Sequence, residues 1–217
     1  MIKVENIEKS YNSEAVLKKV SLEIKKGDFI SIMGESGSGK STLLNIMGGF
    51  LTPDSGKVFW SGRDISTLSD KEISYLRSTE VGFVFQSYGL IPTLTVMDNI
   101  LLPAILGKKA DGELYDYVNT LLERLKLTEM VKKYPSQLSG GQCQRASIIR
   151  ALAYKPSVII LDEPTGALDS GMEKIVMELL AEVNRTLGTT IIQVTHSNAV
   201  AKYASKTIRL VDGEIVL

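Results

Sequence analysis

The sequence predicts an α/β fold that carries a mostly helical insertion. An apolar run at Phe29–Met33 leads into a glycine- and serine-rich loop and then into a helix, as at the start of an α/β unit. No strong strand pattern interrupts residues 99–156. Apolar runs typical of buried strands then return at 158–161 and 190–195. We therefore expect an α/β core into which a helical segment is inserted.

Shorter alternating runs precede and follow the glycine loop. Residues 2–5, 20–24 and 57–60 alternate apolar and polar side chains, which is typical of strands with one buried face. Residues 25–28 have the composition of a turn before the buried run. A further buried strand is predicted at 81–85.

Helical spacing dominates the middle and part of the last third of the chain. One face of 114–125 is apolar at helical spacing, and a similar stripe crosses 175–183. Residues 142–154 are predicted to form another helix. The chain closes with a hairpin around residues 212–213.

Composition narrows the functional classes. The chain has 217 residues, 44% of them hydrophobic and 23% charged, which is enough apolar material for a sizeable core. Its 25 basic and 25 acidic residues balance, so bulk charge does not favour nucleic acid. Cys143 is the single cysteine and cannot form an internal disulfide. The apolar stretch 100–106 is far shorter than the roughly 20 residues of a membrane helix.

Residues 34–41 match the phosphate-loop pattern G-x-x-x-x-G-K-[ST]. Backbone N–H groups can surround a polyphosphate only where side chains leave room, hence the glycines. Lys40 can reach the β- and γ-phosphates, and the Ser41 hydroxyl can coordinate Mg²⁺. A glycine–serine turn without function is the alternative, and the flanking strand and helix argue against it. The predicted nucleotide-binding residues here are Gly34, Glu35, Ser36, Gly37, Ser38, Gly39, Lys40, Ser41 and Thr42.

Two carboxylates follow the predicted strand at 158–161. Ligands of open α/β sheets gather at the carboxyl ends of strands, where Asp162 and Glu163 lie. Asp162 suits a Mg²⁺ role, directly or through water, and Glu163 suits deprotonating an attacking water. The alternative is a pair of acidic residues that cap a strand before Pro164.

Gln86 and His196 also follow predicted buried strands. A neutral amide such as that of Gln86 can contact Mg²⁺ or the water, although a lone glutamine is more often a surface residue. His196 is the only histidine, and zinc binding is unfavoured with so few partner ligands. A neutral imidazole at this edge can contact the γ-phosphate and hold the water, although a lone histidine is usually structural.

The segment Leu138, Ser139, Gly140, Gly141 and Gln142, here called the signature, predicts a second anion site. Ser139 is suited to cap a helix whose first N–H groups, at Gly140 and Gly141, stay exposed. One ATP does not need two such sites from one chain. The simplest physical answer is that the signature binds the ATP of a second copy in a twofold pair.

In this order the motifs resemble those of the ABC (ATP-binding cassette) ATPase family, over essentially the whole chain. The resemblance implies a P-loop NTPase fold, with a RecA-like α/β core and an N-terminal antiparallel β-subdomain. It implies one ATPase domain at 1–217 with an inserted helical subdomain at about 87–156. Tyr11 would stack on adenine, although a surface tyrosine is the alternative.

The resemblance also assigns roles to the candidate site residues. It implies ATP as the nucleotide and Mg²⁺ as its cofactor. Glu163, His196 and Gln86 would be catalytic, and Ser41, Gln86 and Asp162 would hold Mg²⁺. In trans, the partner's ATP would meet Leu138, Ser139, Gly140, Gly141, Gln142 and Asp169.

Segments 164–169 and 88–96 look like those of the branch with macrolide-export, lipoprotein-release, cell-division and antimicrobial-peptide-resistance ATPases. That likeness implies a homodimer at the cytoplasmic face of the cell membrane, attached through a separate permease and powering efflux or mechanical transmission. Residues 88–99 would lie near the groove for the permease, with plain apolar packing as the alternative. No nucleic acid partner is expected.

Other functions stay open on the sequence alone. An importer or a cell-division complex would use the same ATPase. A soluble ABC ATPase of DNA repair or translation usually has two cassettes or long arms, and this chain has neither. A non-catalytic scaffold is disfavoured because every hydrolytic position is filled. Cys143 and Asn198 stand where relatives often have other polar or acidic residues, and neither change removes a catalytic group.

Overall fold

The computed structural model describes residues 2–107 and 111–216. The predicted domain at 1–217 thus includes residues 1, 108–110 and 217, which lie outside the described residues. The strands are β1 (Ile2–Tyr11), β2 (Glu14–Ile24), β3 (Phe29–Met33), β4 (Ser55–Trp60), β5 (Arg63–Asp64), β6 (Val81–Val84), β7 (Val158–Asp162), β8 (Thr190–Val194), β9 (Lys206–Val211) and β10 (Glu214–Val216). The helices are α1 (Lys40–Met47), α2 (Asp70–Glu80), α3 (Val96–Leu106), α4 (Gly112–Arg124), α5 (Gly140–Leu152), α6 (Ser170–Leu187) and α7 (Asn198–Ala201).

The strands form two sheets. The first is four-stranded and antiparallel, with the order β2-β1-β4-β5. The second has the order β10-β9-β3-β8-β7-β6, and its strands are parallel except for β10. Strands β3, β8, β7 and β6 therefore end at one common edge, because parallel strands place their carboxyl ends together.

The six-stranded sheet is covered on both faces, because alternate residues of a strand point to opposite faces. Phe29 packs with the apolar cluster of α3 to α6, whereas Ile30 and Ile32 pack with the cluster of α1 and the four-stranded sheet. Ile159 and Ile160 divide in the same way. This two-sided burial explains why β3, β6, β7 and β8 appear in the sequence as nearly continuous apolar runs.

Three helices, α3, α4 and α5, occupy the middle of the chain. Within 87–107 and 111–156 the structure has these helices and short 3₁₀ turns, and no strand. Helix α3 packs against α5, and the apolar face of α4 is buried in the same cluster. The proposed boundary of a helical subdomain at about 87–156 stays a prediction.

Several predicted boundaries were wrong by a few residues. The helix predicted at 142–154 begins two residues earlier, at Gly140, because Ser139 caps it. The runs at 2–5 and 20–24 are parts of the longer strands β1 and β2, whose bulges obscure the alternation. Helix α2 was not predicted, because only Thr79 of it is buried and its apolar stripe is weak. Its capping box, Ser69 with Glu72, is the signal that could have found it.

No helix in the described parts of the chain is both long enough and apolar enough to cross a membrane.

Asn99 fixes the loop that leads into α3. Its side chain is fully buried, and its amide N–H groups donate to the carbonyl oxygens of Ile91, Leu94 and Thr95 at 3.1, 3.1 and 2.9 Å. Its Oδ1 accepts from the Ile91 N–H at 2.7 Å. One side chain thus satisfies four backbone groups of a segment without regular structure.

We expect Asn99→Ala to lower the free energy of unfolding by about 2–3 kcal/mol, because buried backbone groups lose their partners. Urea unfolding followed by circular dichroism measures the change. Asn198→Ala, at an exposed position of α7, is the matched control. Equal stability of the two variants would contradict the proposed role of Asn99 in stabilising the loop before α3.

Candidate functional site

The loop at 34–39 joins β3 to α1 at the common carboxyl edge of the sheet. Gly39 is the N-cap of α1, with φ 98°, and Gly37 has φ 83°, so both adopt left-handed backbone. Glycine reaches this region without the steric cost that a Cβ imposes. The loop can therefore turn its N–H groups inward, ahead of the positive end of the helix dipole.

The backbones of β9 and β2 hold this loop from outside. A Cβ on Gly34 would lie 2.1 Å from the carbonyl oxygen of Leu210, and one on Gly39 would lie 2.8 Å from that of Val16. Neither contact leaves room for a side chain at these two positions. The sequence did not reveal Leu210 or Val16, because backbone carbonyls carry no sequence signal.

Lys40 lies across the loop. Its Nζ donates to the carbonyl oxygen of Glu35 at 2.6 Å, and the residue is buried. Burial lowers the pKa of Lys40, although the carboxylates of Glu163 and Asp162 oppose that shift. The ammonium group thus faces two carboxylates and the loop interior, where a phosphate would complete its coordination. The Ser38 hydroxyl is also buried and without a protein partner among the described residues.

Asp162 is the last residue of β7 and is buried. Burial raises the pKa of its carboxyl group, as does the charge of Glu163, while a hydrogen bond from Ser41 lowers it. Its Oδ1 has no hydrogen-bond partner among the described residues. A buried, unpaired carboxylate oxygen beside a hydroxyl is an all-oxygen ligand set, which fits Mg²⁺.

Glu163 and His196 are in contact, with 2.6 Å between Oε1 and Nε2. Glu163 has φ 51°, and its N–H donates to the carbonyl oxygen of Val194 at 3.1 Å. This uncommon backbone conformation turns the carboxylate away from the strand axis, towards His196. Both side chains are partly exposed, so the contact lies where a substrate can reach it.

Gln86 follows β6, the strand beside β7. The carboxyl edge of the sheet therefore presents, strand by strand, the phosphate loop, His196, the pair Asp162 and Glu163, and Gln86. The side chain of Gln86 is exposed. The structure thus places the predicted metal and catalytic residues along one edge, and their roles stay proposals.

A cleft of about 500 Å³ opens beside the loop. Besides loop residues and His196, its walls include Arg209 and Asp212. Both residues belong to the C-terminal hairpin, and sequence reasoning did not select them. Alternation along β9, which leaves Arg209 exposed, was the available signal.

Tyr11 is the last residue of β1 and is nearly half exposed. Its ring lies 5.9 Å from Lys9 Nζ. Stacking on adenine stays a prediction.

The signature begins α5. Ser139 Oγ accepts from the Gln142 N–H at 3.3 Å, and Gln142 Oε1 accepts from the Ser139 N–H at 2.8 Å, which completes a capping box. A Cβ on Gly141 would lie 2.9 Å from the carbonyl oxygen of Ala167. Asp169, two residues on, caps α6 by accepting from the Met172 N–H at 2.9 Å. Leu138 packs against the apolar cluster of α3 to α6.

The structure does not bring the signature to the phosphate loop. No hydrogen bond or ion pair of the described residues joins 138–142 to 34–42. Ser139 and Gly140 are exposed instead. An exposed helix N-terminus with free N–H groups can bind an anion that comes from outside the chain.

A family model described as ABC transporter matches residues 17–166. The chain belongs to the ABC transporter family. The resemblance stated from the motifs and the expected α/β fold class are thereby confirmed. As an ABC transporter chain it binds ATP. The phosphate loop stays the predicted site.

Curated relatives and solved structures agree with this membership. The lipoprotein-releasing system ATP-binding protein LolD of Aquifex aeolicus is 42% identical over 216 residues, covering 100% of this chain and 96% of that protein. The bacitracin export ATP-binding protein BceA of Halalkalibacterium halodurans is 42% identical over 222 residues, covering 99% and 87%. A dimeric, post-hydrolysis structure of the ATP-binding cassette MJ0796, bound to ADP and Pi, matches with a TM-score of 0.94 and 41% identity, covering 100% and 97%.

We expect Gly34→Ala to lower ATP affinity of this ABC transporter chain at least about tenfold, because the methyl group would meet the backbone of β9 and displace the loop. Fluorescent nucleotide titration measures the affinity. Gly112→Ala is the matched control, since a Cβ there meets nothing within 4 Å. If both variants bound ATP as the parent does, the proposed fit of the loop would be wrong.

Proposed function

We propose that the chain hydrolyses ATP as one of two identical subunits that drive a separate membrane permease. The 2.6 Å contact between Glu163 and His196, beside the phosphate loop and the buried Asp162, carries the catalytic part. A carboxylate held by a histidine at this edge can orient and deprotonate a water. The exposed signature supports the proposal that two subunits pair.

Binding of ATP rests on the loop and Lys40. The loop N–H groups and the α1 N-terminus surround the phosphates, and Lys40 moves from the Glu35 carbonyl to the phosphate oxygens. Tyr11 stacks on the adenine, which contributes about 1–3 kcal/mol in comparable base–aromatic contacts.

Ser41, Asp162 and Gln86 would hold Mg²⁺, which supplies charge neutralisation between the β- and γ-phosphates when it is bound. The unpaired Oδ1 of Asp162 supports this assignment. Glu163 accepts the proton of the attacking water. His196 Nε2 lies 2.6 Å from Glu163 Oε1, so the imidazole would fix the direction of the carboxylate.

The signature of one subunit receives the γ-phosphate held in the other. Ser139, Gly140 and Gly141 present an N-terminal helix turn to solvent, and Asp169 lies at the N-terminus of the neighbouring helix α6. Loss of the γ-phosphate removes the bound anion, so ATP favours the closed pair and ADP the open pair. The MJ0796 structure bound to ADP and Pi is dimeric, which supports the pairing of two cassettes.

A cluster of aromatic residues is the proposed docking surface for the permease. The ring centroids of Phe50 and Phe83 are 4.8 Å apart, and those of Phe83 and Phe85 are 4.2 Å apart. Arg77 lies over Phe50 at 4.8 Å. Phe50 and the nearby Tyr75 are exposed, and an adjoining cavity of about 260 Å³ reaches α3 and α5. Exposed aromatic and arginine side chains are the common anchors of protein interfaces.

The names of the relatives support a direction of transport. LolD is named for lipoprotein release and BceA for bacitracin export, and both match nearly the whole chain. We therefore propose outward or membrane-extracting transport of an amphiphilic molecule, at the cytoplasmic face of the membrane. Import is disfavoured by these likenesses.

We expect Glu163→Gln to bind ATP, to lose hydrolysis by about 10²–10⁴-fold and to accumulate as a dimer with ATP, because the base is removed while the charge-neutral amide keeps the fold. Phosphate release and sedimentation measure the two effects. Glu178→Gln, on the exposed face of α6, is the control. A monomeric and fully active Glu163→Gln variant would refute both assignments.

We expect Phe50→Ala to keep the ATPase rate of the isolated chain and to reduce permease binding by about tenfold, the cost of losing one interface anchor. The measurement is co-purification with a membrane permease that is coexpressed with this chain. Tyr115→Ala, exposed on α4, is the control. Undiminished permease binding would show that the aromatic cluster is not the docking surface.

A further inference from the structure

The loop after β6 reverses sharply at Tyr88. Tyr88 and Gly89 have φ values of 66° and 59°, and the Tyr88 and Gly89 N–H groups donate to the carbonyl oxygens of Phe85 and Ser87 at 2.9 and 2.8 Å. A left-handed conformation is uncommon for a bulky residue such as tyrosine. It persists only where the surroundings hold it, and such positions often have a functional reason.

Arg150 holds the reversed loop in place. Its Nη1 donates to the carbonyl oxygen of Gly89 at 2.5 Å and its Nη2 to that of Tyr88 at 2.9 Å. Arg150 belongs to α5, the helix that the signature begins. The loop that carries Gln86 is thus attached near the C-terminal end of the signature helix.

The side chain of Tyr88 reaches the opposite end of the same helix. A Cβ built on Gly140 would lie 2.9 Å from the Tyr88 hydroxyl, and the next neighbour from another residue, Ala167, would lie 3.9 Å away. The hydroxyl therefore stands against the first turn of α5, where the free N–H groups lie. One tyrosine spans the distance from the Gln86 loop to the proposed anion site.

We propose that Tyr88 is a positioning residue whose contact with Gly140 sets the signature turn relative to the Gln86 loop. It thereby controls how tightly that turn binds the nucleotide of the second subunit. The proposal rests on the proposed dimeric function. Tyr88 thus connects the carboxyl edge of the sheet, where the subunit would bind its own nucleotide, to α5, which would bind the nucleotide of the second subunit.

The contact between Tyr88 and Gly140 should affect the signature turn and leave the subunit's own nucleotide site unchanged. Tyr88 touches neither the phosphate loop nor β7 among the described hydrogen bonds. Arg150 donates a hydrogen bond to the Tyr88 carbonyl oxygen, and this bond restricts movement of the Tyr88 backbone. Removing the hydroxyl should therefore loosen the signature turn while the subunit's own nucleotide site stays intact.

The test uses the full chain in the Glu163→Gln background. Tyr88→Phe keeps the ring and the loop path and removes only the hydroxyl. We expect the ATP concentration for half-maximal dimerisation, measured by sedimentation, to rise about three- to tenfold, because the signature turn loses the hydroxyl that lies against Gly140. ATP affinity of the monomer at high dilution and the melting temperature should stay unchanged. Tyr115→Phe, at an exposed position of α4, is the control.

A double-mutant cycle with Gly140→Ala tests the contact itself. In the Tyr88 parent the added methyl group meets the hydroxyl, whereas in Tyr88→Phe it finds space. The two losses of dimer affinity should therefore be less than additive. Additive losses would overturn the proposed contact.

The outcomes separate the two proposals. If the Glu163→Gln parent stays monomeric at saturating ATP, the dimeric function fails, and this inference fails with it. If the parent dimerises and Tyr88→Phe needs the same ATP concentration, only the role of Tyr88 is overturned. If Tyr88→Phe also weakens ATP binding by the monomer to the same degree, or lowers the melting temperature, the positioning role is overturned. Tyr88 would then contribute only to packing of the subunit.

Discussion

The close approach of the phosphate loop to two neighbouring backbones constrains the rest of the site. Gly34 lies against the carbonyl oxygen of Leu210 and Gly39 against that of Val16, with no room for a side chain at either point. The loop is therefore pressed between the six-stranded sheet and the N-terminal sheet. Its N–H groups are preorganised for phosphate, and little ordering is left for binding to supply. The C-terminal hairpin thereby helps to shape the loop that is predicted to bind ATP.

Electrostatics at the sheet edge follow from the same packing. Burial lowers the pKa of Lys40 and raises that of Asp162, because it disfavours the charged form of each group. A partner of opposite charge would therefore stabilise the charged form of each. A nucleotide with its metal supplies both partners at once. Glu163 is turned towards His196 by a left-handed backbone, which separates the base from the buried carboxylate. Two adjacent acids thus have different surroundings and different chemistry.

The helical part of the chain receives its orientation from two polar side chains. Asn99 binds the loop that leads into α3, and Arg150 binds the reversed turn at Tyr88 and Gly89. These contacts connect the edge of the sheet with the signature helix by hydrogen bonds rather than by apolar packing alone.

The sequence by itself determined the elements whose cause is local. The phosphate loop and the cap at Ser139 depend on residue types at fixed spacing, and the buried strands depend on runs of apolar residues. Only the tertiary structure decided that Val16 and Leu210 hold the loop, and that the Tyr88 hydroxyl lies at Gly140. These contacts join residues far apart in the chain, and backbone carbonyls look alike in every sequence. Long-range geometry therefore had to be observed, because no local pattern encodes it.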